Sequence, residues 1–138
     1  MQRATALAVL ERLHAAQRDF YAGGPDAPLR PVLAEDVVWT IPGANAIAGC
    51  YRGVEEVMRY FARRRDLAEG SFHMYPGEVL VGDGDHVAVL THGSARVHGI
   101  EHRWSTVGLY RLREERIAAC SLLPLDPLAF DAAWGGER

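Results

Sequence analysis

Residues 35–65 read EDVVWTIPGANAIAGCYRGVEEVMRYFARRR, a strand, an apolar loop and a helix whose order decides the fold. Asp36 to Ile41 is a β-branched and aromatic run suited to a pleated, half-buried surface. Pro42-Gly43 stops it. The connection from Ala44 to Arg52 is apolar for an exposed loop, because Ala44, Ala46, Ile47, Ala48, Cys50 and Tyr51 outnumber its polar residues, so it is expected to cover something. Gly53 opens a helix whose Val54, Val57, Met58 and Phe61 make one apolar face; Glu55, Glu56, Arg59, Arg63 and Arg64 are placed off it. Acids begin this helix and arginines finish it, as the helix dipole favours. A strand and an amphipathic helix joined by an apolar flap suggest the wall and lid of a pocket.

Upstream, residues 2–22 carry Ala6, Leu7, Leu10, Leu13, His14, Gln17 and Tyr21 along one broad helical face, and Gly23-Gly24-Pro25 ends it. His14 and Gln17 are its polar members; they either point into a cavity or sit at the core's edge. Pro28 to Ala34 reads as a short helix. Downstream of Gly70 the pattern is all strand: Phe72–Val81, Val87–Val97, His102–Leu112 and Ile117–Leu123, joined by turns short enough for antiparallel hairpins. Asp126-Pro127 then starts a closing helix over residues 127–134, with Asp as N-cap and Pro at the first helical position.

Alternation across strands lets the turns set which residues share a face. A tight turn at Gly82–Asp85 puts Val79 opposite Val89, Tyr75 near Gly93 and His73 near Ala95. Counting on through His98-Gly99 brings His102 close to Ala95 and Val97, and turns Trp104, Thr106, Gly108, Tyr110 and Leu112 inward. Cys120, Leu122, Pro124 and Asp126 follow. His73, Tyr75, His102, Trp104 and Asp126 therefore converge at one end of the inner face, where Gly93, Ala95 and Gly108 leave room for a ligand. The competing expectation is that Trp39, Trp104, Phe61 and Met58 fill that room.

A chain of 138 residues that is 49% hydrophobic suits one domain, taken to span 1–138, able to bury its own core. The net charge of -3 comes without a basic run, which disfavours nucleic acid, and no apolar run is long enough to span a bilayer. A cytoplasmic protein is expected, with Cys50 and Cys120 reduced and packed.

The order of elements, with Trp39-x-Ile41-Pro42-Gly43, Ala48-Gly49-x-Tyr51-Arg52-Gly53 and Leu123-Pro124-Leu125-Asp126-Pro127-x-Ala129-Phe130-Asp131-x-x-Trp134, resembles the SnoaL-like proteins of the nuclear transport factor 2-like (NTF2-like) superfamily. The resemblance covers nearly the whole chain. It implies an α+β conical barrel, a curved antiparallel sheet with N-terminal, central and short C-terminal helices around an apolar pocket, and a homodimer packed through the outer sheet face. The ketosteroid isomerase groups of that superfamily do not carry over: Ile41 and Gly108 stand where its aspartates belong, and Gln17 falls near its helical tyrosine. The arginine–aspartate pairing of limonene-type epoxide hydrolases is not found either.

The chemistry expected is general acid–base catalysis on a small hydrophobic or polyketide-like carbonyl compound, as in an isomerase, cyclase or dehydratase. His102 is the candidate base, Asp126 its orienting partner, and His73 or Tyr75 the donor to an enolate oxygen. Trp39, Met58, Phe61, Tyr75, Trp104, Tyr110 and Gln17 are the candidate substrate-binding residues. No phosphate loop, nucleophile elbow or dinucleotide fingerprint is present, and no cofactor or metal is expected. The alternative is a non-catalytic ligand-binding or assembly module built on the same pocket.

Overall fold

The computed structural model describes residues 1–135. Along the chain run α1 (Arg3–Tyr21), a 3-10 turn (Arg30–Val32), β1 (Leu33–Ile41), β2 (Gly49–Arg52), α2 (Gly53–Ala68), β3 (His73–Val81), β4 (His86–Val97), β5 (Ile100–Arg113), β6 (Arg116–Pro124) and α3 (Pro127–Ala133). The strands make one curved, unclosed sheet in the order β2-β1-β6-β5-β4-β3, antiparallel throughout except where β1 runs parallel to β6. This is the expected α+β architecture.

Helix α1 buries Ala6, Val9, Leu10, Leu13, Ala16 and Phe20 at helical spacing, and Gly24 N–H closes its end on the Asp19 carbonyl at 2.8 Å. The helix expected over Pro28–Ala34 shrinks to a single 3-10 turn. Leu33 is instead drawn into β1, opposite Ile117 of β6, because sheet pairing and burial outweigh local preference.

The apolar loop divides into two parts with different partners. Gly49–Arg52 pairs with β1 from Ile41 back to Val38 as an added edge strand. Cys50 points to solvent there, contrary to the packed position expected of it, whereas Cys120 is buried. The rest of the loop is tied to α3: buried Asn45 donates from Nδ2 to Asp131 Oδ1 at 2.7 Å, and Ala44 N–H donates to the same oxygen at 3.2 Å. Gly43 has φ +101°, and a Cβ there would lie 2.2 Å from that carboxylate oxygen, so only glycine fits.

Helix α2 starts where Glu56 accepts the Arg52 backbone N–H at 2.8 Å. Its buried stripe is Val57, Met58, Tyr60, Phe61, Arg64 and Ala68. Arg64 thus lies on the core face, a correction to its expected place off it. The core gathers Trp39, Tyr60, Phe61, Phe130 and Trp134, each close to fully buried. Burying an aromatic side chain removes about 150–250 Å² from water, worth roughly 4–6 kcal/mol each before entropy is counted.

The register of β4 with β5 is as expected: Gly93 faces Trp104 and Ala95 faces His102 across a two-residue His98-Gly99 turn, both at positive φ. The register of β3 is not. Val79 does face Val89, but a bulge between Pro76 and Val79 shifts the remainder by one residue, so Tyr75 pairs with His92 and His73 with Ser94. Proline cannot donate to the ladder, and β3 is the sheet's edge, where such irregularity is tolerated. The one-residue slip turns His73 and Tyr75 outward and brings Met74 in.

Candidate functional site

Between α1, α2 and the inner face of the sheet lies a cavity of about 30 Å³. That is room for two or three waters, at roughly 10–15 Å³ each. Helix α1 supplies His14 and Gln17 from neighbouring turns, α2 supplies Arg64, and Thr91 and Thr106 add hydroxyls from β4 and β5. Trp39, Phe72, Trp104 and Tyr110 make most of the apolar wall. The cavity is small because the space beside the glycines is taken: a Cβ on Gly93 would lie 2.6 Å from the Trp104 indole, and one on Gly108 2.9 Å from the Tyr110 ring. Those glycines make room for aromatic rings rather than for a ligand, which corrects the expectation of an open inner face.

Phe72 and Met74 also line a groove of about 360 Å³ on the outside, between the end of α1 and β3, together with Arg18, Tyr21, Gly70 and Tyr75. These two side chains form the partition between groove and cavity.

The polar groups of the cavity are held in unequal states. Burial lowers the His14 pKa from 6.5 to about 4, with Glu11 opposing and Arg18 adding to the shift. His14 is therefore neutral at pH 7, with one ring nitrogen a donor and the other an acceptor. Gln17 Oε1 and Trp39 Nε1 are buried without a hydrogen-bond partner among the described residues. Burial raises the pKa of Tyr60, Tyr110 and Cys120, so all three stay protonated. Arg64 is 5% exposed, yet no carboxylate among the described residues stands within ion-pair distance of it. Its Nε–H donates to Tyr21 Oη at 2.8 Å, and its guanidinium carbon lies 4.7 Å from the ring centre of Phe72 and 4.9 Å from that of Tyr60.

Of the candidate binding residues, Gln17, Trp39, Trp104 and Tyr110 line the cavity, while Met58 and Phe61 belong to the packed core behind Trp39. Tyr75 is 57% exposed and lines the outer groove rather than the cavity. The three candidate catalytic residues are not brought together. His73 is exposed and lines the outer groove, not the cavity, and His102 is half-buried on the inner face beyond the cavity lining. Asp126 is exposed, and its Oδ1 accepts the Ala129 backbone N–H at 3.1 Å, capping α3. The functional group that sequence reasoning left out is Arg64. Its signal was the spacing 57–61–64–68, in which it occupies a core-facing step of α2.

A model of the SnoaL-like domain matches residues 10–120 of this sequence. The chain belongs to the SnoaL-like domain family. Within curated proteins, this SnoaL-like domain is 29% identical to the uncharacterized protein Rv0034 of Mycobacterium tuberculosis (strain ATCC 25618 / H37Rv) over 115 residues, 83% of this chain and 87% of that protein. Its fold is similar to that of Bal32a from a soil-derived mobile gene cassette, with a TM-score of 0.84 at 22% identity, covering 95% of this chain and 99% of that one. It is also similar to an NTF2-like protein from Burkholderia xenovorans LB400, with a TM-score of 0.77 at 21% identity over 98% and 99% of the two chains. At these identities the structures speak for the fold, which is NTF2-like. Among the described residues of this SnoaL-like domain, no helix is long and apolar enough to cross a membrane.

Proposed function

We propose that this SnoaL-like domain binds a small, flat, mostly apolar carbonyl compound between α1, α2 and the sheet, and moves a proton on it with His14. The observation that carries this reading is the neutral His14, enclosed beside the unpartnered Gln17 oxygen in a cavity walled by Trp39, Trp104 and Tyr110. A base must reach its substrate before its pKa matters. His14 lines the cavity, so the proton-transfer role expected of His102 and Asp126 passes to it. Phe72 and Met74 swing aside to join groove and cavity, since a cavity of about 30 Å³ holds no aromatic ring.

A second reading, the non-catalytic binder, has its own support: a His14 pKa of about 4 makes a weak base. Exchange of the α-hydrogens of 2-tetralone in D2O, followed by NMR, separates the two. Catalysis gives exchange faster than in buffer and at least about 10²-fold slower in His14→Gln, the low end of what a positioned base contributes. Saturable binding without faster exchange makes the protein a binder, and no binding removes both readings for this compound class.

The outer sheet face supports self-association. Leu90, Val107 and Leu123 are successive cross-strand partners over β4, β5 and β6, and Leu109 and Leu123 are exposed there. A homodimer is the expected state by sedimentation equilibrium, and Leu123→Glu is expected to shift it to monomer. A wild-type monomer at about 100 μM, where any specific interface with a Kd near 1 μM is filled, would remove the proposal.

A further inference from the structure

We infer that the cavity is an anion subsite, and that the ligand is a flat aromatic monocarboxylate whose carboxylate pairs with Arg64 while its ring lies outward across Phe72 and Met74. The inference rests on the reading of the cavity as a ligand site and adds the chemical class. A guanidinium is not deprotonated inside a protein, so Arg64 carries a full charge into a place with 5% exposure. Isolated buried charges are costly, and a buried cation is normally matched by an anion with its remaining donors satisfied. Among the described residues its one hydrogen-bond partner is the neutral Tyr21 hydroxyl, which accepts the Nε–H. Tyr60 and Phe72 offer ring faces, which attract a cation but accept none of the Nη hydrogens; the Nη atoms are not fully sealed and open onto the cavity that Arg64 lines.

The missing partner has a defined chemistry. The cavity's other titratable groups are neutral: His14 by its lowered pKa and Tyr110 by its raised one. One positive charge with no counter-charge calls for a monoanion, which disfavours a phosphate ester carrying close to two charges. A planar fork of N–H donors matches a carboxylate in bidentate fashion. The cavity of about 30 Å³ holds a head group and no more, whereas the adjoining groove of about 360 Å³, walled by Tyr21, Phe72 and Met74, holds a ring. Arg18 on the groove's rim is ion-paired with Glu11 at 3.8 Å, which leaves Arg64 as the cation without a carboxylate among the described residues that line cavity and groove.

Titration calorimetry with trans-cinnamate and its neutral isostere cinnamamide tests this on the full chain. Cinnamate is expected to bind wild type at least ten-fold more tightly than cinnamamide. Arg64→Met, which keeps an unbranched apolar stem, is expected to bring the two affinities together, and Arg64→Lys to keep part of the preference. In wild type, the Arg64 Nε–H resonance is expected to shift with cinnamate and not with cinnamamide, a readout that stands even if the variants fold poorly. An Arg64 that only fastens α2 to α1 would lower Tm on substitution and leave the cinnamate preference unchanged. Equal binding of both compounds to wild type overturns the anion subsite while leaving the ligand cavity standing; binding of neither overturns both.

Discussion

Trp39→Ala is expected to destabilise the folded chain by about 3–5 kcal/mol, the range for emptying a large aromatic site in a core that cannot collapse around the gap. Trp39 is 2% exposed and meets Phe61 edge-on at 5.1 Å between ring centres and Tyr110 at 6.0 Å, so its indole joins α2 to β1 and β5. Both neighbours sit on regular elements, Phe61 on α2 and Tyr110 on β5, whose backbones are fixed by the helix and the sheet ladder, which limits relaxation. A loss of this size is a large part of the roughly 5–15 kcal/mol that holds a domain folded, and it lowers Tm by on the order of 10–20 °C. Trp39→Phe is the informative control. It keeps a ring against Phe61 and removes an indole N–H that has no partner among the described residues, so its cost is expected near 1 kcal/mol. Urea denaturation of the three proteins reads both values. A cost below about 1 kcal/mol for Trp39→Ala would mean that Trp39 is a loose cavity wall rather than a strut.

How far the sequence reveals this molecule depends on the distance over which its signals act. The strand, loop and helix of residues 35–65 are legible because Val37 and Trp39 alternate across a pleat and Val57 and Phe61 repeat at helical spacing, and both signals are local. The β4–β5 register is legible too, since a two-residue turn at His98-Gly99 leaves no slack between Val97 and Ile100. At β3 the count fails. Pro76-Gly77 marks a bulge, and one inserted residue is enough to exchange every inward side chain for its neighbour. The sequence itself held that warning, since proline in a strand belongs at an edge or a bulge.

The candidate site divides along the same line. Trp104, Thr106 and Tyr110 follow from alternation on β5, so their inward position is read directly. Arg64 does not, because charge is ordinarily a sign of solvent. What holds it inside comes from other elements: the Tyr21 hydroxyl at the end of α1 and the Phe72 ring ahead of β3. No property of α2 alone announces those partners. Asp126 shows the converse. Asp-Pro is a complete local signature for a helix start, and among the described residues the Asp126 side chain makes that capping bond and no other, so local chemistry is enough to account for it.

The pH dependence of stability is expected to carry the mark of His14. Its folded-state pKa of about 4 lies below the 6.5 of the exposed side chain, so between these values the unfolded chain binds a proton that the folded chain refuses. The stabilisation is fully present above pH 6.5, falls as the pH drops through that value, and is gone below pH 4. The linkage amounts to about 2 kcal/mol by pH 5 and about 3 kcal/mol below pH 4, from 1.36 kcal/mol for each unit of displacement. His14 is 6% exposed, so solvent does little to weaken the effect. Urea unfolding at pH 7, 6 and 5 is to be compared with the same series on His14→Gln, which has no proton to gain at this position in either state. Carboxylates on the rest of the chain titrate alike in both proteins and cancel in the difference. Wild type is expected to lose about 2 kcal/mol more than the variant between pH 7 and pH 5. Parallel curves would mean that His14 keeps an ordinary affinity for protons when folded, and with that the neutral imidazole needed as a base in the cavity would be absent over the lower half of this range.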